Sequence, residues 1–91
     1  MYRIRFSKDY NKSIKKIVKS GKVKIEIVDL VINLIATGKI LPPQYCDHKL
    51  HGEYEGFREC HIQGDLLLIY SIDKGELVLI LIDIGTHSYL F

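Results

Sequence analysis

The stretch that decides the fold is FRECHIQGDLLLIYSIDKGELVLILIDI, residues 57–84. It divides into three runs, at 57–62, 66–72 and 76–84, of which the last two are mostly apolar, and the two breaks between them each hold a glycine beside a charged residue. Runs of this length with such short breaks predict three β-strands joined by two hairpins. The second and third runs are almost continuously apolar, which is typical of strands that are buried on both faces or central in a small sheet. The stretch therefore predicts an antiparallel meander.

The residues before the meander predict one strand and two helices. Residues 2–6 alternate apolar and basic side chains, with the period of a half-buried strand. Residues 10–19 and 22–36 repeat apolar side chains at helical spacing, and Ser20-Gly21 ends the first helix. Helices joined this closely form an antiparallel hairpin. The order β-α-α-β-β-β predicts an α+β fold, in which the two-helix hairpin packs on one face of a small, mainly antiparallel sheet.

Size and composition are those of a globular protein. The 91 residues suffice for a single domain spanning 1–91, and a hydrophobic content of 47% argues against disorder. No apolar run approaches the roughly 18 residues that a membrane span requires. The N-terminal residues lack the apolar stretch of a secretory signal, which predicts a cytoplasmic location. Cys46 and Cys60 lack the spacing of a zinc or redox motif, so we expect two reduced thiols.

Charge is distributed unevenly along the chain. Residues 1–24 carry nine Lys or Arg and one Asp, a net charge of +8, whereas residues 25–91 carry four Lys or Arg and ten acidic residues, a net charge of −6. Four lysines of the first helix follow one another on the face opposite its apolar residues; this lysine stripe consists of Lys12, Lys15, Lys16 and Lys19. A basic surface of this kind fits a phosphate backbone or an acidic partner. A helix face that is merely solvated has the same pattern, so both interpretations stand.

Three histidines and one carboxylate lie near predicted strand ends. His48 lies in the segment before the meander, and His61 ends the first strand of the meander. Asp65 follows the first turn, and His87 follows the last strand, four residues before Phe91. Imidazole gains and loses a proton near neutral pH, so several histidines that converge predict proton transfer or metal binding.

The order of these residues and their neighbours resembles the YafQ branch of the RelE/ParE toxins. The matching segments are Asp47-His48-Lys49-Leu50-His51-Gly52, Phe57-Arg58-Glu59-Cys60-His61, Gly64-Asp65, Gly85-Thr86-His87 and Leu90-Phe91. Toxins of this branch are small ribosome-dependent mRNA endonucleases that an antitoxin, usually of the ribbon-helix-helix type, holds inactive. The resemblance implies the same activity and such a cognate antitoxin here, with no cofactor and no metal ion.

The resemblance also implies a role for each matching residue. It makes four residues catalytic, namely His48, His61, Asp65 and His87. Phe91 would stack on or orient a nucleotide of the mRNA, which would lie on the concave sheet face that the helical hairpin leaves free. The charge of the lysine stripe, rather than the resemblance, predicts that it contacts the phosphates of the ribosome.

Such a set of side chains suits cleavage of RNA by its own 2′-hydroxyl group. A base removes the hydroxyl proton, the oxygen attacks the adjacent phosphorus in line, and an acid protonates the leaving 5′-oxygen. Imidazole suits both roles because its reference pKa is about 6.5, and each proton-transfer group contributes roughly 10²–10⁴-fold to the rate.

One position departs from the pattern of the YafQ branch. Many of its members carry an arginine four residues before the last histidine, where it can hold the scissile phosphate, and this chain has Asp83 there. A carboxylate cannot stabilise negative charge on the phosphoryl oxygens. Arg58 and Lys49 are the substrate-binding candidates that would replace the arginine, although strand alternation places Arg58 on the face opposite His61.

Two alternative functions remain. Asp83 favours a catalytically weak or inactive protein of the same fold, which binds an antitoxin or poisons gyrase. The gyrase-poisoning relatives generally lack this histidine set, which favours RNA cleavage. The histidines and Asp65 would also suit an open zinc-type site in a metal-dependent hydrolase, but the sequence lacks a close ligand pair such as His-x-His.

Overall fold

The computed structural model describes all residues from Met1 to Phe91, which form five strands and three helices. The strands are β1 (Arg3–Phe6), β2 (His48–Lys49), β3 (Arg58–Gln63), β4 (Leu66–Asp73) and β5 (Val78–Thr86). The helices are α1 (Lys8–Ser20), α2 (Ile25–Ala36) and α3 (His87–Leu90). None of the helices has the length and apolar character that crossing a membrane requires.

All five strands belong to one sheet, in the order β1-β5-β4-β3-β2. β3, β4 and β5 are consecutive antiparallel neighbours, so the predicted meander is confirmed. β1 pairs with β5 in parallel, and β2 pairs with β3 antiparallel at the opposite edge. The predicted α+β fold is confirmed, and β2 and α3 are additions to the predicted order of elements.

Signals at the two ends of α1 explain the helical hairpin. The Ser7 hydroxyl accepts a hydrogen bond from the backbone N–H of Tyr10 (3.0 Å) and so caps the first turn. Gly21 takes a left-handed conformation (φ +75°) and donates its N–H to the carbonyl of Val18 (3.1 Å). Glycine adopts this conformation without steric cost, which ends α1 and reverses the chain.

The two faces of the sheet differ in what covers them. The core of 16 buried residues lies between α1, α2 and the first face; Leu68 of β4 and Val31 of α2 are among its fully buried members. Leu67 and Ile69 of β4 are each 2% exposed but lie outside that core. Because successive side chains of a strand point to opposite sides, Leu67 and Ile69 belong to the second face of the sheet.

α2 and β5 both begin later than predicted, because local backbone conformations override the apolar pattern, and β5 continues to Thr86 instead of ending at residue 84. α2 begins at Ile25 rather than at Lys22, since Lys24 is still extended (φ −89°, ψ 136°). β5 begins at Val78 rather than at residue 76, since Leu77 takes a left-handed conformation (φ +56°) that belongs to the turn.

Candidate functional site

Glu59 is the centre of the candidate site. It lies in β3 and is only 6% exposed. Its Oε1 atom lies 3.4 Å from His48 Nε2 and 3.8 Å from His61 Nε2. A buried carboxylate is costly unless it has partners, and the two imidazoles supply them.

Strand register explains why these three side chains meet. His48 lies directly opposite Glu59 in the antiparallel pair of β2 and β3, and His61 follows Glu59 by two residues in β3. Cross-strand partners and residues two apart share a face of the sheet. The second face therefore receives all three, and the imidazole rings of His48 and His61 lie 6.5 Å apart.

A backbone contact fixes the orientation of His48. Its Nδ1 lies 2.6 Å from the carbonyl oxygen of Cys46. Because a carbonyl only accepts hydrogen bonds, Nδ1 carries a proton and donates it, which leaves Nε2 directed at Glu59. Nε2 and Oε1 can then form a hydrogen bond only when one of them holds a further proton.

A second group of functional candidates forms where β5 ends. His87 is the first residue of α3, and its ring lies 5.1 Å from the ring of Phe91. The Phe91 ring also packs edge-on against Tyr54 at 5.0 Å. Phe91 nevertheless remains 46% exposed, so part of its ring is accessible for stacking.

Asp65 stands apart from His48 and His61. It is exposed in the turn between β3 and β4, and it forms no hydrogen bond or ion pair with His61. Leu66 lies opposite Thr86 in the register of β4 and β5. Asp65 and His87 therefore each lie one residue beyond that pair, at the same end of the sheet.

Both replacement candidates for the missing arginine lie away from Glu59. Arg58 is paired with the carboxylate of Asp47 (Nη2 to Oδ2, 2.9 Å). Lys49 lies directly opposite Arg58 in the register of β2 and β3, so both belong to the first face. The structure does not bring either cation to the histidines.

Asp83 lies on the second face, in the same row as Glu59. Ile69 is opposite Glu59 on one side and opposite Asp83 on the other. Asp83 Oδ1 accepts a hydrogen bond from the backbone N–H of Ile84 (2.8 Å). The row that carries the histidine partner Glu59 thus holds a second carboxylate, at the position where the resemblance predicts an arginine.

The lysine stripe is free to bind a partner. All four of its side chains are exposed and none forms an ion pair. α1 packs on the first face, so the lysine stripe and Glu59 lie on opposite sides of the sheet.

Sequence reasoning missed Glu59 as a site residue. Strand alternation already places its side chain next to that of His61, which was the available signal. The contact with His48 depends on β2, a two-residue strand too short to have a recognisable periodicity.

The side chains of His48, Glu59 and His61 are of the types that bind metal ions. No group of three His, Cys, Asp or Glu side chains has the arrangement of a metal site as it stands. The separations of 3.4 and 3.8 Å around Glu59 are nevertheless similar to the spacing of two ligands that each lie about 2.1 Å from one tetrahedral ion. Each histidine is therefore spaced from Glu59 as two ligands of one ion would be.

Comparison with protein families shows to which family the chain belongs. A model of the family described as "Bacterial toxin of type II toxin-antitoxin system, YafQ" matches residues 2–91. The chain belongs to the YafQ family. The resemblance found in the sequence is thereby confirmed.

Individual relatives agree with this assignment along the whole chain. The mRNA interferase toxin YafQ of Escherichia coli K12 is 36% identical over 89 residues, which cover 97% of this chain and 94% of that protein. A metal-bound toxin from Helicobacter pylori superposes with a TM-score of 0.92 and 42% identity over 100% of both chains. The E. coli DinJ-YafQ toxin-antitoxin complex matches with a TM-score of 0.87 and 31% identity, covering 99% of this chain and 97% of that one.

Proposed function

We propose that this chain is the toxin of a type II toxin–antitoxin pair and that it cleaves mRNA on the ribosome. The observation that carries the proposal is the group of His48, Glu59 and His61 on one sheet face, where a carboxylate that is 6% exposed contacts two imidazoles. Membership of the YafQ family supports the toxin assignment, and the E. coli K12 relative is named an mRNA interferase.

The chemistry starts with the 2′-hydroxyl group of the mRNA. An imidazole of the Glu59 group accepts the hydroxyl proton, and the negative charge of Glu59 stabilises the imidazolium that forms. The 2′-oxygen attacks the phosphorus and the bond to the 5′-oxygen breaks, which leaves a 2′,3′-cyclic phosphate. His87 lies in a separate group beyond the end of β5 and donates the proton that the leaving 5′-oxygen requires.

Phe91 positions the reacting nucleotide next to His87. Their rings lie 5.1 Å apart, and Tyr54 supports the Phe91 ring from a different direction. Stacking of one base on an aromatic side chain contributes about 1–3 kcal/mol to binding. Asp65 lies at the same end of the sheet and completes this part of the site.

Partners bind on separate surfaces of the molecule. The lysine stripe lies on the opposite side of the sheet from Glu59 and binds ribosomal RNA through its phosphates. A cognate antitoxin, of the ribbon-helix-helix type, holds the toxin inactive. The support for an antitoxin partner is that the E. coli YafQ relative forms a toxin-antitoxin complex with DinJ.

A test in cells separates this function from its alternatives. The chain is expressed from an inducible promoter, with and without the adjacent gene, as wild type and as His61→Ala, His87→Ala and His51→Ala. We expect growth inhibition by the wild type and by His51→Ala, an exposed histidine outside the site. The His61 and His87 variants should be harmless, and co-expression of the adjacent gene should protect the cells.

Asp83 supports one competing function. A carboxylate in the row of Glu59 opposes the binding of a phosphate, which favours a protein that binds an antitoxin but cleaves slowly or not at all. Folded wild-type protein that binds the adjacent gene product, but leaves both growth and mRNA unaffected, would establish this second function.

A further inference from the structure

Asp47 is held on the first face of the sheet by two partners. The Arg58 guanidinium donates through Nη2 to Oδ2 (2.9 Å) and through Nε to Oδ1 (3.3 Å). The hydroxyl of Tyr70, which is 2% exposed, donates to Oδ1 as well. A fork of two parallel bonds fixes the position and the plane of a carboxylate more tightly than one bond does.

The Arg58 guanidinium and the Tyr70 hydroxyl of this network both keep their protons. The hydrogen bond with Asp47 raises the pKa of Arg58, and burial followed by the hydrogen bond to Asp47 raises the pKa of Tyr70. Arg58 therefore stays cationic and Tyr70 stays a hydroxyl donor. The guanidinium is held by Asp47 on the face away from Glu59, so it does not reach the histidines.

The strand that carries His48 needs this support. β2 consists of two residues at the edge of the sheet, and Cys46 before it takes a left-handed conformation (φ 48°). A strand of two residues is well below the usual length of five to six, so its backbone ladder alone holds it weakly. Asp47 immediately precedes His48, and adjacent extended residues direct their side chains to opposite faces.

We propose that Asp47, Arg58 and Tyr70 form a positioning network for His48, acting through the backbone of β2. The network holds Asp47 on the first face, and it thereby keeps His48 at contact distance from Glu59 on the second face. This inference rests on the proposed function, in which His48 takes part in proton transfer. It gives Arg58 a positioning role instead of contact with the phosphate.

A double-mutant cycle in ribosome-dependent mRNA cleavage tests the proposal. Asp47→Asn and Tyr70→Phe are measured in the wild-type background and in the His48→Ala background, with the full chain in each case. A displacement of about 1 Å at a reacting group can cost roughly a hundredfold in rate, so we expect a tenfold to hundredfold fall in kcat with KM nearly unchanged. In the His48→Ala background, the same changes should have no further effect.

A purely structural network gives a different result. Loss of folded protein would lower cleavage by the same factor in both backgrounds, and that outcome overturns the proposal. Tyr10→Phe is the matched control, because Tyr10 is also a buried tyrosine (3% exposed) but lies on α1. If Asp47→Asn does not fold, Tyr70→Phe decides the question, since it removes only a hydroxyl group.

The position of His48 is also measured directly. The ring protons of His48 are assigned in NMR spectra by their loss in His48→Ala, and they should shift in Tyr70→Phe while those of His87 stay in place. Unshifted His48 signals in a folded variant would overturn the proposal. A His48→Ala variant that cleaves at the wild-type rate would instead reject the catalytic role of His48, and the NMR result would still show whether the network positions the ring.

Discussion

Replacing Glu59 by Gln removes the negative charge next to the imidazoles of His48 and His61. The substitution keeps the size of the side chain and leaves two imidazoles, at 3.4 and 3.8 Å, without an anionic partner. A hydrogen bond from a protonated imidazole to the Glu59 carboxylate, once formed during the reaction, would contribute about 1.5–3 kcal/mol, and each 1.4 kcal/mol corresponds to a factor of about ten in rate. Because half of the His48 side chain is exposed, the free energy by which Glu59 stabilises a protonated imidazole lies at the lower end of this range. We therefore expect mRNA cleavage to slow by about tenfold to thirtyfold.

The assay is single-turnover cleavage of an mRNA on purified ribosomes, followed by separation of the RNA fragments. Glu76→Gln is the matched control, since Glu76 is exposed in the turn before β5 and lies outside the candidate site. Its cleavage rate should equal that of the wild type. A folded Glu59→Gln variant that also cleaves at the wild-type rate would refute the reasoning, because the buried carboxylate would then have no part in proton transfer.

Three further predictions concern the other parts of the site. Replacing the lysine stripe by glutamines should weaken ribosome binding and make its dependence on salt concentration shallower, since fewer counterions are released. The affinity for ribosomes at several salt concentrations measures this dependence. An unchanged slope would show that the lysine stripe is a solvated helix face. Phe91→Ala should lower cleavage by tenfold to a hundredfold while the melting temperature stays near that of the wild type, because Phe91 is 46% exposed. A much lower melting temperature would instead show that Phe91 stabilises the fold. Zinc or copper ions should inhibit cleavage by binding between His48, Glu59 and His61. EDTA should restore cleavage when polyamines keep the ribosomes intact. Activity that is lost with EDTA and regained with metal would instead favour a metal-dependent hydrolase.

The main elements could be predicted because their side chains repeat with a clear period. The apolar runs of β4 and β5 and the amphipathic pattern of α1 are each long enough to identify the element and its buried side. The start of α2 and the start of β5 were placed too early, since apolar residues such as Val23 and Leu77 extend the pattern into connecting segments. Pattern alone does not reveal that Leu77 takes a left-handed conformation.

The arrangement of the candidate site depends on contacts that a sequence pattern does not carry. His48 meets Glu59 only because β2 pairs with β3, and that pairing depends on tertiary contacts of a two-residue strand. The sequence could place His61 and Glu59 on one face by alternation, and it could place Arg58 on the other. It could not indicate that Arg58 would pair with Asp47, which is 11 residues away along the chain.

The most direct test of the central claim is to map the 5′ and 3′ ends of an mRNA that has been incubated with the purified protein on translating ribosomes. Cleavage by the 2′-hydroxyl group should produce new breaks that end in a 2′,3′-cyclic phosphate and a 5′-hydroxyl. These breaks should be present with wild type and His51→Ala, absent with His61→Ala, and absent when ribosomes are left out. Folded wild-type protein that leaves the mRNA intact on ribosomes, or a His61→Ala variant that produces the same breaks at the same rate, would contradict the central claim.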